Sequence, residues 1–523
     1  MADQKSSWES KERSCGVLLH LASLPSRWGV GDMGRGAGLF LDFLLSSGQA
    51  LWQILPLSPT DSAQGHSPYS GLSAFAGNPL FISPELLVED DLLEVSDLED
   101  HGSVPEGSCR YGAAAVIKRS LFQRAFERSS DLSDAEYRRF REENAFWLDD
   151  YALFRSLKRR LALPWYEWSP PLRDRDEDAL AEATRDLDDE IKLETFLQFL
   201  FFRQWDRLRG LCRERGIRII GDVPVYISHD SADVWVHREL FNLDATGNLA
   251  RVAGVPPDCF SAKGQRWDNP VYRWDVLEGE HFHWWLKRLR HGVALFDLVR
   301  IDHFRGLVKF WSIPAGENSV ASGAWTDASP EAFFKAVRES IPGLPFIAED
   351  LGYITPDVTE HIRRLGIPGT LVLQFAFGPG FEKSPYAPRN HGENACVFTG
   401  THDNNTARGW FESEADPLAR EQLSVLAGGP VTGDKVSLEM IDLALSSRAR
   451  FALYPMQDIL GLGGEARLNT PGKSSGNWLW RIKGEQLRNA PSGELAVMAA
   501  RHGRRSPGVT KARRGGVMKA PGK

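Results

Sequence analysis

The chain has 523 residues and a mass of 58.5 kDa, with 42% hydrophobic, 25% charged and 11% aromatic content. That is the composition of an ordinary globular protein, and it excludes a disordered, collagen-like or small disulfide-stapled molecule. The formal net charge is −8, but residues 501–523 hold eight Lys/Arg and no acid, so the remainder carries 54 basic against 70 acidic residues, or −16. A body that acidic is a poor partner for nucleic acid.

The polar start of the chain, residues 1–14, has no signal-peptide pattern. No stretch approaches the ~20 apolar residues of a membrane span. Five cysteines (Cys15, Cys109, Cys212, Cys259, Cys396) lie far apart with no C-x-x-C pair. This spacing argues against a disulfide framework and a zinc site, and it fits a reducing cytoplasm. Seventeen tryptophans stand out; aromatic rings pack cores, and they also form flat platforms on which sugar rings stack.

In chain order, eight short apolar runs bounded by Gly and Pro read as strands buried on both faces. They are residues 16–21 (GVLLHL), 51–57 (LWQILPL), 217–226 (IRIIGDVPVY) and 296–303 (FDLVRIDH), then 345–351 (PFIAEDL), 369–375 (GTLVLQF), 395–403 (ACVFTGTHD) and 451–460 (FALYPMQDIL). Helical periodicity separates most of them, at 38–47, 193–215, 281–291, 330–341 and 356–365. Repeated strand–helix alternation predicts a parallel α/β architecture, and eight repeats predict a (β/α)₈ TIM barrel. A doubly wound open sheet is the alternative, weakened because no glycine-rich dinucleotide fingerprint follows the first strand.

The spacing is irregular. The gap between the second and third runs far exceeds what a crossover needs. It predicts an inserted subdomain over about residues 58–190, lying above the barrel mouth and including polar, helix-prone stretches at 132–144 and 174–189. A second insertion after strand 3, residues 228–275, is rich in Trp, Pro, Gly and Asp and reads as long functional loops. Residues 1–500 are thus expected to form one catalytic barrel with two insertions. Residues 501–523 are expected to be a basic, disordered tail.

Catalytic groups of such barrels sit at the C-terminal ends of strands. Four predicted strands end in acids there: Asp222, Asp302, Glu349 and Asp403. One such acid is commonly a helix cap or an ion-pair partner, but four on one rim point to a site, because burying a charge is costly. Residues two apart on a strand share a face, so Arg300 and Asp302 point the same way. The arginine is expected to lower the Asp302 pKa and keep it ionised, as a nucleophile requires, although a purely structural ion pair fits the same spacing. Glu349 follows an apolar run whose desolvation favours a protonated general acid. Asp403 lies in a cluster of hydrogen-bonding residues suited to sugar hydroxyls, or to a turn. Rim carboxylates without a Cys/His cluster leave glycoside chemistry with paired acids or an oxygen-ligated divalent metal. Arg300 would repel a cation, and the aromatic residues Trp52, Tyr69, Trp235, Trp267, Tyr272 and Trp274 favour the sugar.

Over residues 15–472 the chain resembles the amylomaltase (disproportionating enzyme) family of 4-α-glucanotransferases, glycoside hydrolase family 77, within the α-amylase superfamily. The resemblance rests on Gly16-Val-Leu-Leu-His-Leu-Ala-Ser-Leu-Pro-Ser, Ser67-Pro-Tyr-Ser, Ser73-Ala-Phe-Ala-Gly-Asn-Pro, Gly221-Asp-Val-Pro-Val-Tyr and Asp230-Ser-Ala-Asp-Val-Trp. It continues through Gly254-Val-Pro-Pro-Asp, Arg300-Ile-Asp-His-Phe-Arg-Gly, Ala348-Glu-Asp-Leu-Gly, Gly400-Thr-His-Asp-Asn and Asn469-Thr-Pro-Gly. It implies Asp302 as nucleophile, Glu349 as general acid/base and Asp403 as transition-state stabiliser. Tyr69, Asp222, Trp267, Arg300 and His402 are implied as substrate-binding, with residues 254–272 covering the cleft. The family's usual Gly-Gln-Leu-Trp-Gly-Asn-Pro reads Gly264-Gln-Arg-Trp-Asp-Asn-Pro here, so at Arg266 and Asp268 the resemblance leaves acceptor preference open, though not the chemistry.

The activity implied is retaining transfer of a 1,4-α-glucan segment to the 4-hydroxyl of a glucan or glucose. The same resemblance implies no metal, no cofactor and no C-terminal β-sandwich. The expected partners are maltooligosaccharides and α-1,4-glucans, not nucleic acid or membrane, for a cytoplasmic monomer or weak homo-oligomer. The competing readings are an α-glucan hydrolase on the same barrel, a catalytically silent glucan-binding protein and a metal-dependent barrel enzyme.

Overall fold

The computed structural model describes residues 12–129, 135–257, 263–317, 319–504 and 508. Among the described residues twelve strands form two sheets. In chain order they are β1 (Ser14–Leu18), β2 (Leu51–Gln53), β3 (Arg218–Val223), β4 (Arg251–Val255), β5 (Gln265–Pro270) and β6 (Leu298–Ile301). The rest are β7 (Lys309–Pro314), β8 (Ala324–Asp327), β9 (Phe346–Ala348), β10 (Gly369–Val372), β11 (Ala395–Phe398) and β12 (Phe451–Pro455). The larger sheet is parallel, with the order β10-β11-β12-β1-β2-β3-β6-β9; seven of its eight strands fall within the apolar runs, and β1 overlaps the first run but starts two residues earlier. The ring closes between β9 and β10, where the Ala348 N–H donates to the Pro368 carbonyl at 2.8 Å and Thr370 Oγ1 donates to the Ala348 carbonyl at 2.9 Å. This is the expected (β/α)₈ barrel.

Strand alternation sets what the barrel holds at each level. Leu18, Leu51, Ile220, Leu298, Ile347, Val372, Cys396, Phe398, Phe451 and Leu453 form one buried apolar cluster inside it. Two residues beyond five of these, on the same face, stand His20, Gln53, Asp222, Arg300 and Glu349, a polar layer on top of an apolar one. Asp222 can occupy that level because Gly221 precedes it: a Cβ at Gly221 would lie 2.1 Å from the ring of Phe296. Helices Arg35–Ser46, Asp188–Glu214, His283–Leu295, Pro330–Ser340 and Pro356–Leu365 pack outside, close to the predicted ranges, together with Val436–Ser446, for which no range was predicted. Between β10 and β11 the described chain makes only 3₁₀ turns.

The long gap before β3 folds into short helices that include Tyr111–Arg128, Leu148–Leu161 and Glu177–Asp186. Residues 228–275 differ from the loops expected of them, since they contribute β4 and β5 to a four-stranded antiparallel sheet of order β5-β4-β7-β8. Its other half, β7 and β8, comes from a further insertion after β6 that the periodicity does not announce. Short strands rich in Pro, Gly and Trp, of which β4 and β7 pair across about 60 residues, carry no local signal. Among the described residues no helix is long and apolar enough to cross a membrane. Of the basic tail, Arg501 and His502 both reach Asp442, Arg501 from an exposed position, and Arg504 is fully buried. Residues 505–507 and 509–523, like Cys259, lie outside the described residues. Cys15, Cys109, Cys212 and Cys396 are buried free thiols.

Candidate active site

A cleft of about 750 Å³ opens over the C-terminal ends of the barrel strands, and Asp302, Glu349, Asp403, Arg300, His402, Tyr69 and Trp267 all line it. Asp222 lies at its floor, fully buried beneath Tyr69 and Arg300. The predicted catalytic and substrate-binding residues therefore meet in one place, whereas Trp52, Trp235, Tyr272 and Trp274, read with them as aromatics favouring a sugar, are buried in the core away from the cleft.

The floor is an ion cluster. Nη1 of Arg300 donates to Asp222 Oδ2 at 2.6 Å and to Asp302 Oδ1 at 2.9 Å, and the Tyr69 hydroxyl donates to the same Asp222 Oδ2 at 2.8 Å. The other Asp222 oxygen is buried without a protein partner. Burial pushes the Asp302 carboxyl above the usual carboxylate range; Arg300 pulls it down, while Asp222 and Asp403 raise it again. The expectation that Arg300 would leave a lowered pKa is corrected here: desolvation outweighs the cation. Burial also raises Glu349, further than Asp302, with Arg300 opposing and the Asp302 charge adding to the rise.

Glu349 is held by the backbone. His303, following Asp302, adopts the left-handed conformation at φ 49°, which histidine tolerates better than bulky residues. The turn presents its N–H to Glu349 Oε2 at 2.7 Å, and the Leu351 N–H donates to Oε1 at 2.9 Å. Asp403 behaves oppositely. Burial alone would raise it, but His402 Nε2 at 3.3 Å from Oδ2 and Asn469 Nδ2 donating to Oδ1 at 2.6 Å hold it down at about 2. Three carboxyl groups in one cleft thus carry distinct proton affinities, fixed by distinct surroundings.

Aromatic rings flank the acids. Tyr69 stacks on His402 with centroids 5.1 Å apart and planes 16° apart, and Trp478 lies 5.9 Å from Tyr69. On the opposite wall Trp267 meets the ring of His303 edge-on at 4.8 Å. The two divergent residues beside Trp267 pair with each other: Arg266 Nε donates to Asp268 Oδ1 at 2.6 Å and Arg266 Nη1 to the Glu317 carbonyl at 2.6 Å. Asp268 sits at φ 56°, a conformation glycine takes freely and aspartate tolerates. The ion pair with Arg266 accompanies the loss of that glycine.

Sequence reasoning gave no role in this site to Asn469 or Trp478, nor to His20 and Gln53 of the polar layer. His20 and Gln53 were legible as the residues two beyond Leu18 and Leu51. Asn469 opens one of the blocks that carry the resemblance, whereas Trp478 arrives after the last strand with no positional signal. Among the described residues no three His, Cys, Asp or Glu side chains are grouped as metal ligands.

The comparisons agree with the geometry. The family model described as 4-alpha-glucanotransferase matches residues 19–487. The chain is 45% identical over 471 residues to the 4-alpha-glucanotransferase of Aquifex aeolicus, covering 90% of this chain and 96% of that one. It is also 45% identical over 498 residues to that of Thermus thermophilus, covering 93% and 98%. Its fold superposes with a TM-score of 0.90 on the amylomaltase from Streptococcus agalactiae solved in complex with acarbose, at 32% identity, over 94% of this chain and all of that one. With the barrel, the acid-lined cleft and matches that run nearly end to end, this chain belongs to the 4-alpha-glucanotransferase family, glycoside hydrolase family 77.

Proposed function

We propose that the three acids of the cleft carry a retaining double displacement in which Asp302 is the nucleophile, Glu349 the general acid and base, and Asp403 the stabiliser of the transition state. The enzyme is a 4-α-glucanotransferase: it moves a segment of a 1,4-α-glucan to the 4-hydroxyl of an acceptor glucan or glucose. In the first step Glu349 gives its proton to the leaving glycosidic oxygen while Asp302 attacks the anomeric carbon, forming a glycosyl ester. In the second, Glu349 takes the proton of the incoming 4-hydroxyl and the ester bond breaks, restoring both carboxyl groups and the starting anomeric configuration.

The observation that carries this reading is the different setting of the two buried carboxyls: Asp302 accepts a hydrogen bond from the Arg300 guanidinium, whereas Glu349 accepts from the backbone N–H groups of His303 and Leu351. The adjacent cation favours Asp302 as the carboxylate, and burial favours Glu349 as the proton carrier. That is the assignment of base and acid the two steps need. Asp403, held ionised by His402 and Asn469, is suited to hydroxyls that it grips more tightly as the ring flattens and positive charge builds on it. Tyr69, stacked on His402 and bonded to Asp222, offers a ring face to the sugar that is cleaved. Arg300 and Asp222 fix the nucleophile from below. The Trp267 wall favours a sugar acceptor over water by excluding solvent.

The scheme uses no metal or cofactor, and its substrates are maltooligosaccharides and longer α-1,4-glucans. We place the enzyme in the cytoplasm, as a monomer or weak homo-oligomer, on the strength of its dispersed, buried thiols. The test is incubation with maltotriose. Transfer gives glucose together with maltotetraose and longer products. Glucose and maltose alone would mean hydrolysis, and no change would mean a binding protein.

A further inference from the structure

Beyond Trp267 the cleft has another aromatic surface. Trp325 on β8 and Tyr353, four residues after Glu349, both line it. Their ring centroids are 6.0 Å apart and their planes 18° from parallel. Arg305 is buried behind them, its guanidinium 3.7 Å from the Trp325 centroid and 5.5 Å from that of Tyr353, while it donates to the Tyr353 carbonyl and, at 3.4 Å, to that of Lys309. Trp311, the cross-strand partner of Trp325 in the β7–β8 hairpin, meets it edge-on at 5.0 Å. Trp325 is therefore fixed from the side and from behind. Tyr353 is nevertheless 53% exposed.

A large ring held rigidly with an open face beside a polar cleft has the chemistry of a sugar platform: apolar ring C–H groups stack on the aromatic face, and the phenol supplies a polar handle. Burial does not explain it, since neither ring is in the core. Cation–π contact from Arg305 orients the pair at little entropic cost on binding.

The side of the cleft follows from Glu349. The group that protonates a leaving oxygen has to lie on the leaving-group side of the scissile bond. Tyr353 follows Glu349 by four residues and lines the cleft with it, whereas Asp403, Tyr69, His402 and Trp478 form a separate cluster of mutual contacts. We propose that Trp325 and Tyr353 form an outlying acceptor subsite that stacks a glucose unit beyond the one receiving the bond, and so selects an oligosaccharide acceptor over free glucose. This rests on the reading of Glu349 as acid and base.

The experiment uses the full chain with amylose as donor and either glucose or maltotetraose as acceptor, and reads the ratio of acceptor kcat/KM for the two. Tyr353→Ala and Trp325→Ala are expected to lower that ratio about five- to tenfold, through the KM for maltotetraose more than through kcat. Tyr353→Phe, which keeps the ring, is expected to hold the ratio. A wild type that transfers to both acceptors, with a ratio unmoved in both alanine variants, overturns the platform alone. A loss equal for the two acceptors also overturns it, since a structural defect makes no distinction of acceptor length. A wild type that transfers to neither acceptor overturns the reading of Glu349, and the platform with it.

Discussion

Arg300 and Asp222 stand on adjacent barrel strands with Nη1 and Oδ2 2.6 Å apart, and their side chains are 3% and 0% exposed. The same nitrogen reaches Asp302 at 2.9 Å, so one cation serves two carboxylates. Arg300→Ala leaves both without it in a desolvated site, and removal of one partner from such a pair destabilises by about 3–5 kcal/mol. We expect that loss in denaturant unfolding, with kcat/KM falling roughly 10²–10³-fold. Arg300→Lys keeps the charge but not the planar fork and is expected to fall between.

The two raised carboxyl groups give the pH dependence its sign. On the proposed assignment turnover needs Asp302 ionised and Glu349 protonated, so the rate is expected to rise with pH as Asp302 loses its proton and to fall as Glu349 loses its own. Burial raises both, Glu349 further. The expected kcat/KM profile is a bell whose two limbs both lie above the range of free carboxylates near pH 4, with apparent values that belong to the pair. A profile already falling below pH 5 contradicts this. Because the folded state binds these protons more tightly than the unfolded chain, their contribution to stability is full below pH ~4 and is lost as pH rises through the native values.

Asn469 reaches Asp403 across 66 residues of sequence, Nδ2 to Oδ1 at 2.6 Å. A hydrogen bond to a charged group contributes about 1.5–3 kcal/mol, so Asn469→Ala is expected to lower kcat/KM about 10- to 100-fold. Thermal unfolding should move little, because Asp403 keeps His402. An unchanged kcat/KM would remove Asn469 from the account.

At the opposite face of the barrel, Arg504 donates to the carbonyls of Leu445, Ser14, Arg450, Ser447 and Ala449, at 2.7 to 3.3 Å. Burial lowers its pKa to about 10. Truncation after residue 503 leaves those acceptors without a donor and is expected to cost about 3–5 kcal/mol, seen as a lower Tm. Truncation after residue 508 is expected to leave the transfer rate unchanged.

Much of this site was legible because barrel alternation is strict. An apolar run ending in a polar residue two places beyond the last core side chain locates the rim; Asp222, Arg300 and Glu349 all obey it, and Asp302 lies two places beyond Arg300 on the same face. The same rule, applied to Leu18 and Leu51, would have added His20 and Gln53. The β7–β8 hairpin was not legible: its strands are four to six residues long, half-exposed, and paired with β4 far upstream. Trp325 therefore read as one more tryptophan, although it stacks beside Tyr353 in the cleft. The sign of the Asp302 shift was not legible either, since it depends on how deeply Arg300 and its two partners are buried together.

The central claim is that Asp302 forms the covalent bond to the glucan. Glu349→Gln retains the site but lacks the acid and base, and an α-maltosyl fluoride donor needs no acid because fluoride leaves unaided. The first step should then proceed while the second, which needs a base, stalls. Peptide mass spectrometry of the quenched Glu349→Gln enzyme is expected to find one maltosyl adduct, on the peptide bearing Asp302, which disappears in the Asp302→Ala double variant. No adduct, an adduct on another residue, or release of the β-anomer by the wild type would contradict the account.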